Sequence, residues 1–192
     1  MKKLIPTIPL LFISACVAPS IDPNLPPFTT LTTPDQSNGY QYIKSFEFSQ
    51  PSSANAKQNA TYCITKHVSY QQITQGQSAA SMWNGLATSN HKNHSLDGGT
   101  VIKYDDGNGN LLAQGRERTQ FNSGMVTIPI NIEFQLEVKI TDTTTLIFDK
   151  PTSTLGSDLT LKPIGSWPGA QGITISRQIE SLADKIYDCL QQ

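Results

Sequence analysis

Charge is scarce in this chain. It carries 14 Lys+Arg and 15 Asp+Glu in 192 residues, a net charge of −1, and charged residues make up only 15% of positions, against roughly 25% in an ordinary soluble domain. Without a basic excess there is little to neutralise phosphates, which argues against a nucleic-acid partner. No apolar run reaches the roughly 20 residues that a spanning helix needs. Cysteine is limited to three residues, and none stands in the C-x-x-C spacing of a thiol–disulfide exchange motif. The nearest approach to a G-x-S-x-G nucleophile elbow, Gly76-Gln77-Ser78-Ala79-Ala80, lacks both the second glycine and a strand before it. Uncharged hydrogen-bonding residues take the place of charge: 20 Thr, 18 Ser, 15 Gln and 11 Asn fill one third of the chain. The length suits one domain with a tail.

The N-terminus has the three-part layout of an export signal: charged Met1-Lys2-Lys3, a mostly apolar Leu4 to Ile13, then small Ser14 and Ala15 before Cys16. Ile13-Ser14-Ala15-Cys16 resembles the lipobox of bacterial lipoproteins, in which cleavage before the cysteine leaves a lipid-modified residue at the new N-terminus. The resemblance covers about the first 16 residues, with Ile where Leu is commoner. It implies a signal peptide over 1–15, lipidation at Cys16, and, because Val17 and not Asp follows, an outer-membrane destination; a domain facing the periplasm is the expectation, although Val17 does not decide between that and the cell surface. Removing residues 1–15 takes Lys2 and Lys3 with it and leaves 12 basic against 15 acidic side chains, a net −3. Residues 16–39 hold Pro19, Pro23, Pro26, Pro27 and Pro34 among Ser, Thr and Asn, a composition that predicts a lipidated, Pro-rich tether. The folded domain is then 40–192.

Within that domain, alternating aromatic and polar residues from Tyr40 to Phe48 predict a strand that Pro51 ends. Ser52 or Ser53 can cap a helix whose apolar stripe runs through Ala56, Ala60, Cys63 and Ile64. A polar stretch from Ser69 to Thr100 reads as connection, with one short helix around Trp83. Thr100–Tyr104 and Leu111–Phe121 form a hairpin across the turn-forming Asp105 to Asn110. From Val126 to Ile140 apolar and polar residues alternate without a break, the pattern of an antiparallel strand with one face on a core. Leu146-Ile147-Phe148 continues the sheet, 151–172 is loop, and Ile175, Ile179, Leu182, Ile186 and Cys189 mark a C-terminal helix capped by Ser176. The expected class is α+β: an antiparallel sheet of about 4–5 strands, two helices packed on one face, in the order β-α-β-β-β(-β)-α. That element order, with the glycines at 109 and 115 of the hairpin, resembles the TATA-binding-protein-like and helix-grip domains found in bacterial envelope lipoproteins. The resemblance implies a fold and no DNA-related activity.

With Cys16 consumed by lipid, Cys63 and Cys189 remain, both on apolar helical stripes and in an oxidising compartment. A structural disulfide is the favoured reading and two buried free thiols the alternative. Other candidates are weaker. His91 and His94 stand as H-x-x-H with Asp97 beyond, a possible metal set that no predicted helix aligns, so a solvent-exposed loop is preferred. Asp106, Asn108, Asn110 and Glu117 approximate EF-hand ligand spacing, but Leu111 replaces the required glycine. Glu133 and Glu137 share the solvent face of the long strand, where carboxylates belong. Trp83 and Trp167, in the two long loops, are candidates for partner or ligand binding, with sealing of the core as the commoner role of such residues. No cofactor is expected. The residues therefore point to a non-enzymatic outer-membrane lipoprotein that acts as a structural, assembly or partner-binding module. A sugar- or apolar-ligand-binding lipoprotein is the alternative, and an envelope hydrolase ranks below both.

Overall fold

The computed structural model describes residues 20–74, 95, 96, 98, 99 and 101–192. In chain order the elements are β1 (Thr29–Leu31), β2 (Ile43–Pro51), α1 (Ala56–His67), β3 (Ile73–Thr74), β4 (Ser95–Leu96), β5 (Ile102–Asp105), β6 (Asn110–Ser123), β7 (Val126–Ile140), β8 (Thr143–Leu155), β9 (Asp158–Pro163) and α2 (Gly172–Leu190). The fold is α+β. Its main antiparallel sheet has seven strands in the order β1-β2-β8-β7-β6-β5, with β9 pairing β8 beyond the end of β2, and β3 and β4 form a separate pair.

Seven strands correct the expected four or five, and the additional ones have a common physical cause. Thr29–Leu31 pairs with β2, although it belongs to the segment read as a tether. Three residues are too few to show a period of two, and the flanking prolines at 26, 27 and 34 stand outside the paired residues. Leu25 and Phe28 also pack against the core, so the ordered body begins before residue 40. Asp158–Pro163, read as loop, is an edge strand whose single paired side tolerates Pro163 at its end.

The long alternating segment behaves as its pattern requires. Ile130, Ile132, Phe134, Leu136, Val138 and Ile140 of β7 are all buried. Register extends this apolar face across the sheet: Ala113, Leu136, Phe148 and Phe46 stand opposite one another on four neighbouring strands. Phe134 and Phe148 pack edge-on at 5.1 Å between centroids. The two helices cover this face. α2 contributes Ile175, Ile179, Leu182, Ala183, Ile186 and Leu190 to the core, whereas α1 contributes only Ala56, Ala60, Cys63 and Ile64. Gly115 allows α1 to end close to the sheet. A Cβ there would lie 2.5 Å from both the Val68 Cγ1 and the Phe134 ring.

Neither helix is capped as its sequence suggests. α1 follows Asn55, which makes no side-chain cap, while the Ser53 hydroxyl donates to the Leu190 carbonyl at 2.6 Å. That bond satisfies the C-terminus of α2 in place of the N-terminus of α1. α2 begins four residues before its expected cap: Ser176 is fully buried and donates to the Gly172 carbonyl at 2.7 Å. The Cys63–Cys189 disulfide joins the two helices with Cα atoms 5.7 Å apart, across a sequence separation of 126.

The β5–β6 turn uses its acidic residues as acceptors for its own chain. Asp106 accepts from the Asn110 side chain at 2.6 Å and from the backbone N–H groups of Asn108 and Asn110. Asp105 accepts from the Thr61 hydroxyl and the Gly107 N–H. These bonds, the side-chain ones foremost, hold both carboxyls below their ordinary value of 3.8. A carboxyl lowered on folding contributes stability that is complete above its unfolded value and is lost as pH falls through the folded one. Asp106→Asn should therefore differ from the parent by a constant amount above about pH 5 and converge with it as pH falls below about 4. Urea titrations at stepped pH would show this, and parallel stability curves down to acid pH would contradict it.

Candidate functional site

The sheet face away from the helices carries a cluster built from β6, β7 and the segment after α1. Ser69 makes an isolated antiparallel bridge to Arg116, with the Arg116 N–H donating to the Ser69 carbonyl at 2.7 Å. The chain then turns across the sheet as a strap, residues 69–72. Gly98 fits against it where a Cβ would meet the Gln72 nitrogen at 2.6 Å and the Tyr70 carbonyl at 2.8 Å. Glycine is the residue that leaves room for this backbone-on-backbone approach.

Arg116 is 5% exposed and lies directly opposite Glu133 in the β6–β7 register. Its Nη2 donates to Glu133 Oε2, and its Nη1 donates to the Gln71 carbonyl at 2.7 Å. The guanidinium lies 4.8 Å from the centre of the Tyr70 ring, a cation–π arrangement that suits its planar charge. Gln114 Nε2 donates to the Tyr70 hydroxyl at 2.9 Å and to Glu133 Oε1 at 3.3 Å. Lys103 places its ammonium 5.6 Å from the same ring. A charge removed from water costs several kcal/mol unless it is paired, and here the pair, the carbonyl and the ring share that role.

Beside the cluster opens a cleft of about 450 Å³ whose lining includes Gln71, Gln72, Arg116, Glu117, Arg118 and Asn131. Arg118 and Asn131 face each other across the two strands. Asn131 is 4% exposed. Its Nδ2 donates to the Thr154 hydroxyl at 2.9 Å, while its Oδ1 has no hydrogen-bond partner among the described residues. A buried amide oxygen left in this state carries a desolvation penalty that an incoming donor removes. Arg118 is exposed and enters no ion pair among the described residues. The cleft thus offers one exposed cation, suited to a polar or acidic group, beside a buried amide oxygen that an adjacent N–H or O–H reaches once the lining side chains shift.

The residues singled out from the sequence are distributed differently. Cys16, Trp83, His91, His94, Asp97 and Ser78 lie outside the described residues. Trp167 is half-buried: its ring packs 4.8 Å from Tyr40 and 5.6 Å from Tyr42 and covers Gly165, where a Cβ would lie 2.5 Å from it. Its free edge, with Leu25, Phe121 and Ile173, borders a cleft of about 150 Å³. Glu117 bonds Gln178 on the helix side, so it cannot join Asp106, Asn108 and Asn110, and no group of three metal-ligating side chains occurs among the described residues. Glu133 and Glu137 share a face as expected but not an environment. Glu137 pairs with Lys139 in solvent, whereas Glu133 lies under the strap. Arg116, Arg118, Asn131 and Tyr70 carry no motif. The available signal was the spacing of two between Arg116 and Arg118 on β6 and between Asn131 and Glu133 on β7, while nothing in the sequence placed Tyr70 over them.

Comparison with known proteins adds little to this geometry. No protein-family model matches the chain, and no curated protein matches it. Among solved structures, the chain is similar to a DUF4468 family protein from Bacteroides ovatus ATCC 8483, at 13% identity over 77% of this chain and 83% of that one, with a TM-score of 0.46.

Proposed function

We propose that this protein is an exported lipoprotein, held at the outer membrane by lipid on Cys16, whose domain is a non-enzymatic partner-binding module facing the periplasm. The observation that carries the binding role is the open polar cleft, with exposed Arg118 beside the unpartnered Oδ1 of buried Asn131. An open polar surface suits the side chains of another macromolecule. Enclosure of an apolar molecule calls for a closed pocket of roughly 300–1,000 Å³, and the Trp167 cleft, at about 150 Å³, is too small for one. The disulfide supports export, because such bridges persist in oxidising compartments. Among the described residues no helix is long and apolar enough to cross a membrane.

A photocrosslinking residue at position 72, on the rim of the cleft, in the tagged, full-length protein in living cells should capture one envelope protein. Asn131→Leu, which removes the acceptor at nearly constant volume, should reduce that adduct by about tenfold, as expected for one buried hydrogen bond of about 1.4 kcal/mol. A complete absence of adducts at 72 would remove the support for this cleft. Cys16→Ser should release the protein from the membrane fraction, and unchanged sedimentation would contradict the anchor.

A further inference from the structure

We propose that the tip of the β6–β7 hairpin is a second membrane contact, laying its apolar side chains on the lipid surface to which Cys16 anchors the chain; this rests on the lipoprotein reading above. The hairpin outruns the sheet. β8 leaves β7 at Ile130, its partner Leu155, and the last bond from that side is Gly156 N–H to the Pro129 carbonyl. Among the described residues, the three outermost pairs, from Phe121↔Ile128 to Ser123↔Val126, have no further strand paired beside them.

The helices stop short of the end of the hairpin, beyond Phe121. α2 begins at Gly172, and its first turn meets the sheet at Phe121. The apolar face nevertheless continues past it. Val126 and Ile128 keep the side of buried Ile130, and Val126 is 60% exposed, Leu155 49%, and Met125 fully exposed. Thr119 to Ile132 is a run of 14 residues without a single charge. A projecting hairpin solvated on all sides is ordinarily kept soluble by charged side chains. An uncharged tip with Met and Val at its end is suited instead to the headgroup boundary, where apolar area is buried and an inserted charge would be costly.

The place where the chain enters selects lipid as the occupant. The Asp22 N–H donates to the Ser166 carbonyl at 2.7 Å, and Asp22 and Leu25 share one cleft with Phe121 and the start of α2. The segment leading from the anchor therefore joins the domain at the tip end. Three residues of strand, about 10 Å, separate Phe121 from Gly124, and the six-residue step from Cys16 to Asp22 spans at most about 20 Å. A lipid on Cys16 holds this end of the molecule against the bilayer. Tyr104, also exposed, pairs with the other end of β6, about 40 Å away along the strand.

The test uses full-length lipidated protein in vesicles of phosphatidylethanolamine and phosphatidylglycerol, carrying Met125→Cys or, as control, Tyr104→Cys. Cys16 carries the lipid in this preparation and Cys63 and Cys189 are bonded to each other, so a thiol-reactive, polarity-sensitive fluorophore reports only the introduced site. The label at 125 should be quenched by an aqueous quencher at least about threefold less than the label at 104, with blue-shifted emission, as expected for shallow insertion. Adding Val126→Asp should abolish the difference while the protein still sediments with the vesicles. Equal quenching at 125 and 104 in vesicle-bound protein would overturn the tip contact and leave the anchor standing. Protein that does not stay with the vesicles would overturn the lipoprotein reading itself. Protection of the label at 125 in native outer membranes but not in protein-free vesicles would overturn the lipid contact in favour of a protein partner.

Discussion

Replacing Cys63 and Cys189 together by alanine is expected to cost about 4–5 kcal/mol of stability and to lower the melting midpoint by about 10 °C or more. The first contribution is chain entropy. The bridge spans a sequence separation of 126, and releasing so long a loop widens the denatured ensemble considerably in the loop-closure treatment. The second contribution is local. α1 buries two alanines, one isoleucine and Cys63, an apolar set much smaller than that of α2, so its attachment depends heavily on the covalent link. The loss should therefore be uneven: amide exchange in α1 should rise before exchange in β6, β7 and β8 does. Urea denaturation of the mature domain and its double variant measures the first effect, and hydrogen exchange the second. A double variant as stable as the parent, with α1 equally protected, would show that packing alone holds the helix. The same result obtained by reductant on the parent would check that the substitutions themselves are mild.

The second large effect concerns the cluster under the strap. Glu133→Ala is expected to destabilise the domain by about 3 kcal/mol, because it deprives a buried guanidinium of its carboxylate and the Tyr70 hydroxyl and Gln114 of an acceptor. Glu137→Ala, four residues further on and with the same sequence alternation, should stay within about 0.5 kcal/mol. Its ion pair with Lys139 is exposed, at 49% and 44%, and such pairs contribute little. Removing both partners together, as Arg116→Met with Glu133→Leu, should restore part of the loss, since no unpaired charge then stays buried. Urea midpoints of the four proteins decide the matter. Equal effects of the two glutamate substitutions would mean that the Arg116 pair is as solvated as the Glu137 pair.

The contrast between these two glutamates shows what a linear pattern conveys. A period of two assigned both to the face away from the core, and both are there. It could not tell that residues 69–72, distant in sequence from β7, return across that face and cover one of them. The same limit applies to β1 and β9. Three- and six-residue edge strands are held mainly by backbone hydrogen bonds to a longer neighbour, and backbone pairing leaves almost no trace in side-chain order. Cap residues failed for a related reason. Ser53 has the right type and position to cap α1, but the Leu190 carbonyl lies within its reach only because the disulfide and the shared core bring the two helix ends together.

The sequence by itself determined the α+β class, the long central strand, the stripe of each helix, and the side of the sheet on which each β7 residue stands. These features depend on periodicities of 2 and 3.6, which are properties of a local backbone and survive without tertiary context. Only the tertiary structure decided how many strands join the sheet, which polar residues become buried, and where the apolar face outruns the helices meant to cover it. Those outcomes depend on which distant segments meet, and burial is a property of the meeting and not of the residue. The scarcity of charge gains its meaning there: Thr119 to Ile132 is neutral along the part of β6–β7 that carries an uncovered apolar tip beside the incoming N-terminal segment.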